Sequence, residues 1–234
     1  FATFEVNMAS SQIGAYAVPI NWHFTPEEAT YILRDSGASG LVAHTDLLAL
    51  APDGRLQRYG PAQGLAARHV TLLHTDSHGQ RWLGTGSGLL RMQGAWDHLR
   101  FEPELAQTVW QLAEDRDGAL IAATENGPWR RASDGWHPLP EDGSLSHLHV
   151  WSIESDGADG WWFGFRGGLM HSTPDGQHLI GAAQGLPNPV VRDLLRDANG
   201  ALWAATAGGG LARLHDGRFQ TLGENGGLGT NVLW

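Results

Sequence analysis

An all-β fold is predicted for this chain by three observations. A set of landmarks recurs about every forty residues, the joints between them are rich in Gly and Asp-Gly, and 32 Gly and 11 Trp sit among 234 residues. Self-similarity at such a period outranks any single motif, because each copy is one supersecondary unit stacked on the next. Trp203 and Thr206 of LWAAT align with Trp162 and Phe165 of WWFGF, Ile121 and Thr124 of LIAAT, and Trp82 and Thr85 of RWLGT, at steps of 41, 41 and 39. Asp197, Asp156, Asp115 and Asp76 keep the same steps, and each is followed within a few residues by Gly200, Gly160, Gly118 or Gly79. Val191, Val150, Val109 and Val70 stand six residues before each Asp.

The unit reads as four short strands. The first is of the type VVRDLLRD, a D-x-x-G turn follows, and LWAAT is the second strand. A Gly-rich bend leads to GLARL, and after an Asp-Gly turn RFQTL is the fourth. Gly and Asp-Gly supply the positive φ that tight hairpins demand. Four strands in about forty residues are the signature of a β-propeller blade. The prediction is a partial β-propeller of about four full blades within 49–234, with a stub beginning at Val232. GTGSG and TAGGG look like nucleotide-binding loops in isolation, but no helix pattern or Lys follows them and they recur at one blade position, so they read as bends.

The pattern GL....V..LL.D..G.LW..T..GGL.R..DG.F, followed closely by residues 185–219, resembles the two-component-regulator propeller repeat, and the likeness extends over about 51–234. Phe165 in place of Thr and Ile121 in place of Trp are the departures. The resemblance implies a fragment of a signal-transduction sensor that carries a histidine-kinase or diguanylate-cyclase output module. It also implies a periplasmic location and a small-molecule ligand, with oligosaccharides among the known classes.

Residues 1–48 do not follow the repeat. FATFEVNMASSQIGA reads as a helix ended by Gly14, and Thr25 caps a second helix with Pro26 at its first position and Glu27 and Glu28 at the positive dipole end. Asp35-Ser36-Gly37 stops it. With VPIN and TPEE the segment is similar to part of the N-terminal domain of the AMP-forming acyl-CoA synthetases. That family needs a Ser/Thr/Gly-rich loop with a Lys for ATP phosphates, an acid for Mg²⁺ and a C-terminal domain with a catalytic Lys. None of these is in the sequence, so no catalytic residue carries over and the chain is expected not to be an enzyme. From about residue 30 the same stretch also threads as a degenerate blade, with Asp35, Leu41, Val42, Thr45, Asp53 and Gly54 where the period puts them. An acyl-CoA synthetase remnant without its active site and a chimera with no function of its own are the alternatives to a sensor.

Composition narrows the partners. A formal net charge of -10 with no Lys/Arg cluster repels a phosphate backbone, so nucleic acid is excluded as a partner. No apolar run approaches eighteen residues, so no membrane segment is expected. The absence of Cys rules out disulfides and thiolate chemistry. The opening FATFEVNMAS reads as an internal piece of a longer frame, and blades cut at both ends predict self-association through open strand edges.

The candidate ligand-binding residues are Trp110, Trp151, Arg68, Arg166 and Arg192. Trp110 and Trp151 share the position after the first-strand Val, so their rings point away from that Val and offer flat faces to a cyclic ligand. The three Arg fall in loops or first strands near one end of the blades, where a guanidinium meets a carboxylate or a sugar hydroxyl. Trp82, Trp162 and Trp203 share the second-strand position instead and read as packing between blades. His147-x-His149 would place two rings on one strand face, but a third ligand does not recur near it, so neither a metal nor any cofactor is expected. D-R-D-G at 115–118 reads as a hairpin turn, because the later ligands of a calcium loop are missing. No G-x-S-x-G elbow or fixed pair of acids supports hydrolysis, so no catalytic residue is assigned.

Overall fold

The computed structural model describes residues 40–43, 46–50, 56–61, 64–65, 70–94, 98–223, 227–228 and 230–231. The two helices expected in 1–37, Arg68 and the copy beginning at Val232 lie outside the described residues. The fold is all-β, built of the four-stranded antiparallel blades of a partial β-propeller. A three-stranded sheet comes first, of β1 (Gly40–Ala43), β2 (Asp46–Leu50) and β3 (Leu56–Tyr59). The first blade is β4 (Val70–Thr75), β5 (Arg81–Thr85), β6 (Gly88–Gln93) and β7 (Arg100–Leu105). The second is β8 (Val109–Glu114), β9 (Leu120–Thr124), β10 (Gly127–Ala132) and β11 (Gly135–Pro138). The third is β12 (Val150–Ser155), β13 (Trp161–Phe165), β14 (Gly168–Thr173) and β15 (Gly176–Ile180). The fourth is β16 (Val191–Arg196), β17 (Leu202–Thr206), β18 (Gly210–His215) and β19 (Arg218–Leu222). In every blade each strand pairs with the next in sequence. The chain divides into two compact units, Phe1–Val109 and Trp110–Trp234.

The recurring Asp explains why each first hairpin forms. Oδ1 of Asp76, Asp115, Asp156 and Asp197 accepts the backbone N–H groups two and four residues on, at 2.7–3.0 Å. The short side chain thereby satisfies donors that the turn takes out of the ladder. Oδ2 reaches the neighbouring strands. Trp82 Nε1 and Trp203 Nε1 donate to it at 2.9 Å in the first and fourth blades. Where Ile121 replaces Trp, Arg130 of the next strand donates through Nε and Nη2 at 2.9 and 2.7 Å. The Ile121 departure from the repeat is therefore compensated locally. Thr85, Thr124 and Thr206 close the second hairpin by donating from Oγ1 to the carbonyls of Gly88, Gly127 and Gly210 at 2.6–2.8 Å.

Alternation along the second strand distributes the core. In Trp110–Trp234, Phe163 and Phe165 face the second blade, packing with Ile121, Ala123 and Leu145. Trp162, on the other face of the same strand, packs with Leu194, Leu202, Ala204 and Phe219 of the fourth blade. This is the inter-blade packing expected of the second-strand Trp. In Phe1–Val109 the equivalent of Phe163 is Leu83, which packs with Tyr59, Leu65, Met92 and Leu99. Tyr59 also accepts the Leu99 N–H at its hydroxyl, 3.1 Å away. β1 to β3 fall where the period puts the second to fourth strands of a blade, so over 40–59 the chain builds antiparallel sheet. The acyl-CoA-synthetase-like residues before Gly40 lie outside the described residues.

Candidate ligand-binding strip

The residue after the first-strand Val holds a special place in the ladder. Pairing runs Val150 to Phe165 and then Ser152 to Gly164, and likewise Val191 to Thr206 and then Asp193 to Ala205. Trp151 and Arg192 are thus the extra residues of β-bulges, as is Thr71 between Val70 and Leu72. A bulge re-aims its side chain while the flanking residues stay in register. Val150 and Val191 are fully buried, whereas Trp151 and Arg192 stand half-exposed. Gly164 makes the tight crossing possible, because a Cβ there would lie 2.3 Å from Ser152 Oγ and 2.8 Å from Val191 Cγ1.

Trp110, Trp151 and Arg192 occupy this one position in the second, third and fourth blades. β12 packs directly against β16 and also against β9, so the three blades bring the side chains into a row. Trp110 stacks on His149 with ring centroids 5.7 Å apart and planes 28° from parallel. Its Nε1 donates to His149 Nε2 at 3.1 Å. His149 in turn lies 5.5 Å from Trp151 at 47°. The Arg192 guanidinium carbon sits 4.2 Å from the centre of the Trp151 ring, within cation–π range. Burial and then the nearby Arg166 guanidinium hold the Arg192 group below its ordinary pKa. Arg166 itself is exposed, in the turn between β13 and β14.

Of the five sequence-predicted residues, Trp110, Trp151 and Arg192 lie in this row, Arg166 lies in the turn between β13 and β14, and Arg68 lies outside the described residues. His149 joins them although its sequence spacing suggested only a metal pair with His147. It is the residue just before β12, two positions ahead of Trp151. Among the described residues no group of three or more His, Asp or Glu side chains could hold a metal ion. In the first blade the equivalent position is Thr71, whose hydroxyl donates to the Val109 carbonyl, so the aromatic character belongs to the second and third blades.

Beside the strip, on the same first strands, Asp193 is pushed up to about 6 by burial. Burial also raises Glu154, where the Asp193 charge adds to the rise and Arg196 opposes it. A separate cleft of about 510 Å³ opens between the second and third blades near Asp115, Trp161 and Gln177. Arg116 pairs there with Asp159 at 3.1 Å and Arg130 with Asp115 at 2.7 Å.

The two-component regulator propeller family matches residues 185–208, which span β16 and β17. No curated protein sequence matches the chain. Among solved structures, the chain is similar to the extracellular domain of a hybrid two-component system from B. thetaiotaomicron, at 21% identity and a TM-score of 0.62, over 82% of this chain and 29% of that one. It is also similar to the extracellular domain of a one-component system from the same organism, at 19% identity and a TM-score of 0.58, over 71% and 24%. Virginiamycin B lyase from Staphylococcus aureus matches at 17% identity and a TM-score of 0.53, over 78% and 66%. The chain spans less than a third of the two sensor domains. Likeness at these identities establishes the propeller fold, which serves sensors and an enzyme alike. The acyl-CoA synthetase resemblance gains no support from these comparisons.

Proposed function

We propose that the chain is a non-catalytic, ligand-sensing part of an extracytoplasmic signal-transduction receptor, and that the strip of Trp110, His149, Trp151, Arg192 and Arg166 meets the ligand. The observation that carries this reading is the Trp110–His149–Trp151–Arg192 row itself, with successive contacts at 5.7, 5.5 and 4.2 Å. Core packing does not require large rings at a solvent-facing bulge, and ring faces in that setting stack on flat or cyclic molecules. The family match at 185–208 and the extracellular origin of the two B. thetaiotaomicron domains support a periplasmic sensor. An oligosaccharide is the ligand type that the family resemblance favours.

A glycan array followed by calorimetric titration of the hits tests the reading. The expected result is a bound saccharide whose affinity falls at least about tenfold in Trp110→Ala and in Trp151→Ala, as loss of a stacking platform predicts. Binding that survives both substitutions would remove the strip from the site. Turnover of a carboxylate with ATP to an adenylate would overturn the non-catalytic reading and revive the synthetase one.

A further inference from the structure

We propose that the uncovered face of the fourth blade docks a second copy of this chain about a two-fold axis. Side chains alternate between the two faces of a blade, and the third blade is covered on both. Trp162 on one face is 7% exposed, and Phe163 and Phe165 on the other are 0% and 8% exposed. In the fourth blade burial falls on one face. Leu194, Leu202, Ala204 and Ala212 are buried against the third blade. On the opposite face Asp193, Trp203, Ala205, Leu211 and Arg213 are only half-buried, and Leu195 is 61% exposed. The register sets these six in two rows, Leu195–Trp203–Arg213 and Asp193–Ala205–Leu211. The corresponding face of the third blade is where Trp162 receives a neighbouring sheet, so this surface continues an interface that the molecule already uses.

Charge favours a second copy as the occupant. Two chains of formal net charge -10 repel one another over most of their surface. This face carries one carboxylate, one guanidinium and four apolar side chains, so two copies meet there without that penalty. It is also its own complement, because in a two-fold contact each residue meets its partner and is met by it in return. An axis parallel to the strands, between β17 and β18, lays Trp203 of each copy against Arg213 of the other and the small Ala205 against Leu211. The Arg213 guanidinium already stands 5.6 Å from the Trp203 ring of its own blade, so the second contact extends a cation–π pair. Six side chains are few beside the 20–30 residues a side of a standard interface, so the expected dimer is weak, with a Kd on the order of 10–100 µM.

Sedimentation velocity of the full chain tests this, run from about 1 to about 200 µM in about 0.1 M and about 1 M NaCl. The expected result is a reversible monomer–dimer equilibrium that tightens at the higher salt, where repulsion between two acidic chains is screened and apolar contact remains. Leu195→Glu and Leu195→Lys change an exposed position, and each is expected to weaken the dimer at least about tenfold with an unchanged circular dichroism spectrum. Ala205→Arg repeats the test from the centre of the face if either spectrum changes. Leu179→Glu on β15, at the other large exposed hydrophobic among the described residues, is expected to leave the dimer as it is. A chain that stays monomeric throughout would overturn the proposal, as would a dimer equally tight in the Leu195 variants. Dissociation by salt would trace the association to charges elsewhere and overturn it too. Growth beyond a dimer would do the same, because open strand edges produce it and a closed two-fold contact does not.

Discussion

His171 lies face to face on Trp162, with ring centroids 3.7 Å apart and planes 4° from parallel, while its Nε2 donates to Asp156 Oδ2 at 3.0 Å. The two residues are cross-strand partners, as are Trp82 with Arg91, Ile121 with Arg130 and Trp203 with Arg213. In the first and fourth blades the Asp oxygen goes to the Trp N–H, but in the third His171 takes it and the buried Trp162 Nε1 has no hydrogen-bond partner. The stack stands in for the missing bond. His171→Ala is expected to destabilise the fold by about 1–3 kcal/mol, and His171→Phe by less, because it keeps the stack and loses only the Asp156 contact. Urea unfolding at neutral pH measures both. Equal losses in the two variants would show that the stacking contributes nothing.

Asp115 joins two elements, the turn it caps and the third strand through Arg130. Asp115→Ala therefore removes the acceptor of two backbone N–H groups and an ion-pair partner, for an expected loss of about 2–4 kcal/mol. Asp115→Asn retains the capping oxygen and should lose about half as much. Thermal or urea denaturation of the pair tests whether capping and charge contribute separately.

Asp156 responds to acid in the usual direction. Burial pushes its carboxyl up, but the hydrogen bonds from His171, Ala158 and Gly160 outweigh that and hold it below the ordinary value. Its contribution is complete above the unfolded carboxylate range, about pH 4, and fades as pH falls through the folded value. Asp156→Asn should flatten the acid limb of the stability profile and leave its slope above pH 6 unchanged.

Asp193 responds in the opposite sense. With the folded carboxyl at about 6 and the unfolded one at 3.8, the folded state binds the proton more tightly. Stability is therefore highest below the unfolded value and declines as pH rises through about 6. Asp193→Asn is expected to stabilise the protein by on the order of 2–3 kcal/mol at pH 7.5 and by little at pH 3.5. Equal effects at the two pH values would contradict a raised carboxyl at this bulge.

Gly164 and Ser152 share one space. Ser152 Oγ is fully buried without a hydrogen-bond partner, and a Cβ on Gly164 would reach it at 2.3 Å. Gly164→Ala should cost about 1–3 kcal/mol through overpacking, while Ser152→Ala is expected to be near neutral or stabilising. In the double variant the loss should shrink, because Ser152→Ala frees the volume that the new methyl needs. Strict additivity in chemical denaturation would show that Val191, 2.8 Å away, sets the limit instead.

The blades were legible because their landmarks serve local geometry. An Asp that caps its own turn, a Thr that closes its own hairpin and a Gly at positive φ all act within a few residues, so their period survives in the sequence. The partnership of Trp110 and Trp151 was legible for a related reason, since equivalent slots in stacked units come side by side. His149 was not, because its stacking depends on the spacing between neighbouring first strands, a tertiary distance that no repeat encodes. The exchange of Trp162 for His171 at Asp156 was hidden likewise. WWFGF keeps its Trp, and the competing ring comes from another strand.

The strip is tested most directly by fluorine NMR of the 5-fluorotryptophan-labelled chain, titrated with the saccharides that bind in the glycan array. Among 11 Trp, the account predicts that the resonances of Trp110 and Trp151, assigned by single Trp→Phe variants, move in a saturable way while that of buried Trp162 stays still. Saturable movement at other Trp residues, with Trp110 and Trp151 unmoved, would contradict it.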